Sequence, residues 1–272
     1  LQPAVLERAQ GVLRVGVRLR DGRSALADLH QAGCLKARFP RPGGWLEVVT
    51  LNSSGGVAGG DSLEATVTVA PGARASIASQ AAERFYRTRP EEAPARLQTE
   101  IRIGEGAAAE WLPQESILFD GAALDRRLAV TVAPDAWFLG VESLVFGRAA
   151  MGERVATLRL ADTIRVRRAE RLIWHDAVRL GPDAAAALAG PAVTGGGRAV
   201  ATLLLLAPDA ESRLAALREA WAEAPAETGA SAWEGMLVGR IVAVDGARLR
   251  AALIAGLAVL RDGRPLPRVW MC

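Results

Sequence analysis

The feature that most restricts the fold is an alternation of apolar and polar residues running through the first two thirds of the chain. In RVGVRLR (14–20), Val15, Val17 and Leu19 share one parity, and Arg14, Arg18 and Arg20 take the other. The segments SLEATVTV (62–69), RLQTEIRI (96–103), RLAVTV (127–132), TLRLADTIRVRR (157–168) and RLIWHDAVRL (171–180) follow the same rule. Successive side chains of a strand point to opposite faces, so this alternation predicts a series of half-buried strands.

Several of these strands belong to a weak internal repeat. TVTVAPGARAS (66–76), EIRIGEGAAAE (100–110) and AVTVAPDAWFL (129–139) each join one strand to the next through a turn tetrad: Ala-Pro-Gly-Ala, Gly-Glu-Gly-Ala and Ala-Pro-Asp-Ala. Proline presets φ at the second turn position, and Gly or Asp suits the third. Val69, Ile103 and Val132 are corresponding positions at unequal intervals, which predicts hairpins stacked side by side rather than a solenoid of fixed period. Glu83, Glu115 and Glu142 each follow soon after a second strand, so stacking is expected to line them along one end or one interior channel.

The last third reads differently. Segment 208–224 opens with Pro208, Asp209 and Glu211 and then places Leu214, Leu217 and Trp221 at helical spacing. Segment 246–262 is a second helix, rich in Ala and Leu, that stops before Gly263 and Pro265. MLVGRIVAV (236–244) between them reads as a strand, and the Gly-rich 190–200 as a connector. The expected fold is mainly β, with stacked hairpins in packed, sandwich- or roll-like sheets and two late α-helices. It forms one domain over 1–272, β-rich over 1–200 and helix-containing over 201–272.

Half of the 272 residues are hydrophobic and 23% are charged, which fits a folded chain with a substantial core. The formal net charge is only +3, and all 33 basic residues except Lys36 are arginine. No block of five or more like charges appears, so neither a nucleic-acid nor a membrane partner is expected. Two cysteines, Cys34 and Cys272, do not suggest a disulfide scaffold. No signal-peptide core and no apolar run of membrane length is present, so a cytoplasmic setting is expected.

Self-sufficient chemistry finds little support. The Gly-rich run SSGGVAGGDS (53–62) lacks the lysine of a P-loop and the spacing and following helix of a dinucleotide fingerprint. It reads instead as a loop between strands whose glycines supply positive φ or close approach. GDSLE (60–64) is not a hydrolase elbow. Asp28, His30 and Cys34 lie close in sequence, but no second cluster completes a four-ligand metal site. Glu115 with Asp120, or Glu142 with Asp176, could form an acid/base couple for glycoside hydrolysis, although aromatic residues are only 5% of the chain. A carbohydrate-active hydrolase and a metal-independent β-rich adaptor are therefore the alternative readings.

Five blocks, LNSSGGVAGGDSLEATVTVAPGARASIASQAAERFYRT (51–88), WLPQESILFDGA (111–122), FLGVESLVFGRAAMGE (138–153), RLIWHDAVRL (171–180) and LPRVW (266–270), resemble in order the urease accessory protein family UreD, also called UreH. The resemblance covers nearly the whole chain. It implies a non-catalytic maturation factor that binds apo-urease and the accessory protein UreF, and through UreF the nickel-carrying GTPase UreG. It implies no tightly bound cofactor, transient Ni²⁺ at most, and a mainly β fold whose small helical part contributes to the UreF contact.

A passage for nickel must bind the ion weakly enough to release it. A chain with two His and two Cys is poor in ligands that would trap it, and carboxylates with water make weaker sites. The candidates for such a passage are Asp61, at the close of the Gly-rich loop; Glu142, inside the apolar FLGVESLVF; and Asp176 with its neighbour His175, in RLIWHDAV. Glu83 and Glu115 are lesser candidates. A competing structural reading pairs Glu142 and Asp176 with arginines such as Arg148 or Arg179. Partner contact is expected at the two late helices, with Trp221, and at an exposed Arg84, Phe85 and Tyr86.

Overall fold

A computed structural model describes residues 7–40 and 44–271. Its strands are β1 (Gln10–Arg20), β2 (Arg23–Gly33), β3 (Leu35–Arg38), β4 (Leu46–Asn52), β5 (Ser62–Val69), β6 (Arg74–Ser79), β7 (Glu83–Phe85), β8 (Ala95–Ile103), β9 (Ala108–Leu112), β10 (Ser116–Leu118), β11 (Ala123–Val132), β12 (Trp137–Phe146), β13 (Arg159–Arg168), β14 (Arg171–Leu180), β15 (Ala199–Leu206), β16 (Glu227–Trp233) and β17 (Met236–Ala243). The helices are α1 (Ala184–Ala189), α2 (Leu214–Ala220) and α3 (Gly246–Leu260).

The chain passes back and forth between two sheets. One sheet has the order β14-β13-β11-β8-β5-β1-β2, and the other runs β16-β17-β15-β12-β9-β6-β4-β3, with β10 and β7 branching from β12. Neighbours β1, β5, β8, β11 and β13 pair in parallel, as do β4, β6, β9 and β12.

The strand–turn–strand units do stack side by side, and the mainly β architecture with two late helices is as the sequence predicts. Within a unit, however, the two arms do not pair with each other. β5 lies in the first sheet and β6 in the second, and each pairs with the matching arm of the next unit. The turn tetrads make this possible. Each closes on itself, Ala73 N–H to Ala70 O at 3.0 Å, Ala107 N–H to Gly104 O at 3.1 Å and Ala136 N–H to Ala133 O at 3.1 Å. They also bond to one another, as in Gly104 N–H to Val69 O and Ala133 N–H to Ile103 O, both 2.9 Å. The return path on the opposite side carries the variable inserts, including β7 and β10, which is why the repeat interval is uneven.

Three layers result. Inward residues such as Val15, Val67, Ile101, Val130 and Phe138 fill the space between the sheets. The opposite face of the second sheet, including Leu139, Val141, Leu203 and Leu205, is covered by α2 and α3. Strand β15 is therefore buried on both faces, which accounts for its unbroken run of Leu. Trp221 is the pin of that layer. Its ring packs where a Cβ on Gly239 or Gly256 would intrude, and its indole N–H donates to Ala252 O at 2.8 Å. Asp245 caps α3 by accepting from Arg248 N at 2.8 Å. The first late helix is shorter than its sequence pattern, a 3-10 turn over Ala210–Arg213 leading into α2. Strand β16 and helix α1, which carry little periodicity, are additional elements.

Candidate functional site

Strand parity builds a polar belt across the space between the sheets. On β11, Arg126 takes the inward parity of Leu124 and Leu128, and on β13 Asp162 takes that of Leu160 and Ile164. Arg126 and Asp162 are register partners in the parallel ladder, which places their side chains next to each other. From the opposite sheet, Glu142 on β12 points into the same layer.

The guanidinium of Arg126 donates to Asp162 through Nε at 2.9 Å and Nη2 at 2.6 Å, to Ser116 Oγ at 2.9 Å, and pairs with Glu142 Oε2 at 2.7 Å. Trp111 Nε1 donates to the other Glu142 oxygen at 2.8 Å. Burial alone would loosen the proton of Arg126, but Asp162 and Glu142 reverse this and hold it more firmly protonated than a free arginine. Burial pushes the Glu142 carboxyl up against the opposing pull of Arg126. Two carboxylates share one guanidinium here, so the ionised cluster carries a net negative charge in a low-dielectric layer.

Two cavities meet at this cluster. The larger, of about 360 Å³, holds Asp162, Asp176, Thr202 and Arg240 beside an apolar wall that includes Phe146 and Val178. The smaller, of about 130 Å³, holds Glu83, Gln114, Ser116 and Thr99. Both are lined by Arg126 and Glu142. Asp176 pairs with Arg240 at 2.7 Å; Arg240 also donates to Thr202 Oγ1 and lies over the Trp174 ring. Glu83 accepts from Asn52 Nδ2 at 3.1 Å, and burial pushes its carboxyl up.

The predicted residues therefore separate. Glu83, Glu142 and Asp176 belong to the connected inter-sheet space. Glu115 does not: it pairs with Arg250 at 3.2 Å in a groove between β10 and α3, so the three glutamates do not share one channel. His175 sits next to Asp176 in sequence but faces the opposite side of the sheet, exposed, because strand neighbours alternate. Asp61 is buried and faces inward rather than presenting a free carboxylate. It accepts from Ala9 N and Ala58 N, both at 2.8 Å, and so ties the Gly-rich loop to the chain before β1.

That loop behaves as a turn. Gly55, Gly56 and Gly60 have positive φ, and a Cβ on Gly56 would lie 2.4 Å from the Tyr86 ring, whose hydroxyl donates to Gly55 O. Tyr86 and Arg84 are exposed, but Phe85 is buried in the apolar cluster beside β10, and Trp221 is buried under α3. Neither of the latter two is a surface contact of this chain, since inward strand parity and helix packing consume them. The arginine pairing of Glu142 and Asp176 is real, with partners Arg126 and Arg240 in place of Arg148 and Arg179. All four members of the two carboxylate couples are engaged by arginines, Glu115 by Arg250 and Asp120 by Arg87.

Arg126, Asp162 and Arg240 carry the site but were not singled out from sequence. The signal for the first two was present: a charged residue at the apolar parity of a strand, the same anomaly that marks Glu142 and Asp176. Cys34 is half-buried with its thiol pushed up by burial, and His30 stands opposite Arg14 on the outer face of the first sheet. Cys272 lies outside the described residues. Among the described residues, no three of His, Cys, Asp and Glu are grouped closely enough to hold a metal ion by themselves, and no helix is long and apolar enough to cross a membrane.

The family model described as UreD urease accessory protein matches residues 9–271, from the start of β1 through the C-terminal 3-10 turn. The chain belongs to the UreD urease accessory protein family. It is 45% identical over 265 residues to the urease accessory protein UreD of Azorhizobium caulinodans, covering 97% of each chain. It is 45% identical over 272 residues to that of Methylobacterium sp. (strain 4-46), covering 97% of this chain and 95% of the relative. It is 43% identical over 267 residues to that of Xanthobacter autotrophicus, covering 98% and 91%. In this UreD chain, the block 138–153 supplies β12 with Glu142, and the block 171–180 is β14 with Asp176.

Proposed function

We propose that this chain acts in urease maturation as a non-catalytic scaffold in the cytoplasm, binding apo-urease together with UreF and, through UreF, the GTPase UreG. Ni²⁺ freed on GTP hydrolysis crosses the chain through the space between the two sheets to the urease active site. The observation that supports the passage is the succession of inward carboxylates, Glu83, Glu142, Asp162 and Asp176, along two cavities that meet at Arg126.

The charge arrangement suits transit better than storage. At rest, Arg126 pairs with both Glu142 and Asp162, and Arg240 pairs with Asp176. An entering dication exchanges with a guanidinium for carboxylate oxygen, so the gain of each new contact is offset by the loss of an ion pair. Oxygen ligands and water hold Ni²⁺ less firmly than clustered imidazole or thiolate. Trp111 and Ser116 keep Glu142 and Arg126 oriented while the ion moves.

The test is deletion in a urease-producing cell at ordinary nickel supply. Urease subunits should accumulate, assemble and remain nickel-poor and inactive until the intact chain is restored. Full nickel occupancy without the chain contradicts the proposal.

A further inference from the structure

Among the described residues, no helix or strand covers the outer face of the first sheet. Parallel sheets are usually covered on both faces, and the second sheet here obeys that rule under α2 and α3. Among the described residues, the first sheet packs inward only. Its outward side chains form straight rows, because adjacent parallel strands are in register: one row runs Arg14, Thr66, Glu100, Ala129, Arg165. The row below it runs Gly16, Thr68, Arg102, Thr131, Arg167.

Short side chains keep the floor of this plate flat while arginines rise from it. Between Arg14, Arg18 and Arg102, over Gly16, Thr66 and Thr68, lies a depression of about 540 Å³ whose lining also includes the carboxylates of Asp28 and Glu100. Of the acids on the plate, Asp28, Glu64, Glu100 and Asp125, two are paired within it, Glu100 with Arg102 at 2.6 Å and Asp125 with Arg127 at 2.8 Å. Among the described residues, no carboxylate pairs with Arg14, Arg18 or Arg165, all of them exposed. The chain as a whole carries only +3, so this excess of arginine is a local charge balanced elsewhere. The segment 208–234, which includes α2 and β16 across the molecule, is where acids such as Glu219, Glu223 and Glu227 gather.

We infer that this face is a docking surface for an acidic protein surface, with carboxylates of the partner pairing with Arg14, Arg18 and Arg165, the exposed arginines that no carboxylate of the described residues engages. Arginine forks bind carboxylates in pairs, and a flat plate of Thr and Ala admits a broad protein surface. Two features disfavour a nucleic acid. Glu64 and Glu100 interrupt the arginine field, so it offers no continuous track for a phosphate backbone, and no Phe, Tyr or Trp stands on these rows to stack a base. The partner's identity rests on the maturation reading, which supplies apo-urease as the probe.

The experiment titrates the full chain with nickel-free urease at low and high NaCl. Binding should weaken with salt, as contacts between exposed charges do. The double variant Arg14→Glu/Arg165→Glu should lose about tenfold or more in affinity and most of the salt dependence, with Arg14→Lys/Arg165→Lys recovering much of it. Unchanged circular dichroism and melting temperature establish that the variants fold. If the wild-type chain binds apo-urease but charge reversal leaves affinity and salt dependence unchanged, the docking face is overturned and the maturation reading stands. If the wild-type chain does not bind apo-urease, both fall. Duplex DNA or phosphatidylserine vesicles binding the same face as tightly as the apoenzyme would also overturn the acidic-protein assignment.

Discussion

At the residue scale, position within a strand decides what a carboxylate can do. Asp61, Glu83 and Glu142 are all acids of the first two thirds, yet only the last two open onto a cavity. Asp61 is a structural clamp, so Asp61→Ala should leave two backbone N–H groups unpaired and cost about 1–3 kcal/mol. Asp61→Asn, keeping one acceptor, should cost less. Chemical denaturation of both variants checks the order. Glu83 gives a pH test. Burial raises its pKa in the folded chain, so the folded state binds its proton more readily than the unfolded state does. Its ionised form therefore costs stability at neutral pH, and the cost disappears as pH falls through the raised pKa. Glu83→Gln should accordingly be stabilising at pH 7, with the gain shrinking on acidification, as melting temperatures across that range would show.

At the scale of elements, the C-terminal segment is fastened to the second sheet by a buried charge cluster. Glu110 on β9 is fully buried and accepts from Arg261 Nε at 2.9 Å and Nη2 at 3.0 Å and from Ser76 Oγ at 2.7 Å. Arg264 adds a pair at 2.8 Å while lying over the Trp45 ring. Beyond it, Trp270 donates to Leu112 O at 3.0 Å. Removing one member of such a cluster strands the other charges. Glu110→Ala should destabilise by about 3–5 kcal/mol, and adding Arg261→Met should restore part of the loss. A double-mutant cycle in urea measures both.

At the scale of the whole molecule, the local pattern and the global path carried different information. The parity of β5, β8, β11 and β13 and the turn tetrads were legible in the sequence, because both are local. That the two arms of each unit enter different sheets was not, since parallel pairing joins residues far apart and leaves no mark in either arm alone. The candidate site was legible in half. Glu142 and Asp176 betrayed themselves by breaking apolar runs, and Arg126 and Asp162 sit at the same inward parity in strands whose arginine-rich composition masks them. Phe85 and Trp221 misled because an aromatic residue looks the same in sequence whether it anchors a core or a partner.

The central claim, that nickel reaches urease past Glu142 in the interior of this chain, meets its most direct test in the metal content of urease matured with Glu142→Gln. The amide is nearly isosteric and can still accept from Trp111, but it removes the charge shared with Arg126. With the variant folded and still co-purifying with apo-urease, nickel per active site should fall several-fold below that obtained with the intact chain. Nickel loading at the intact level, at the same rate and with the same amount of complex, would contradict the account.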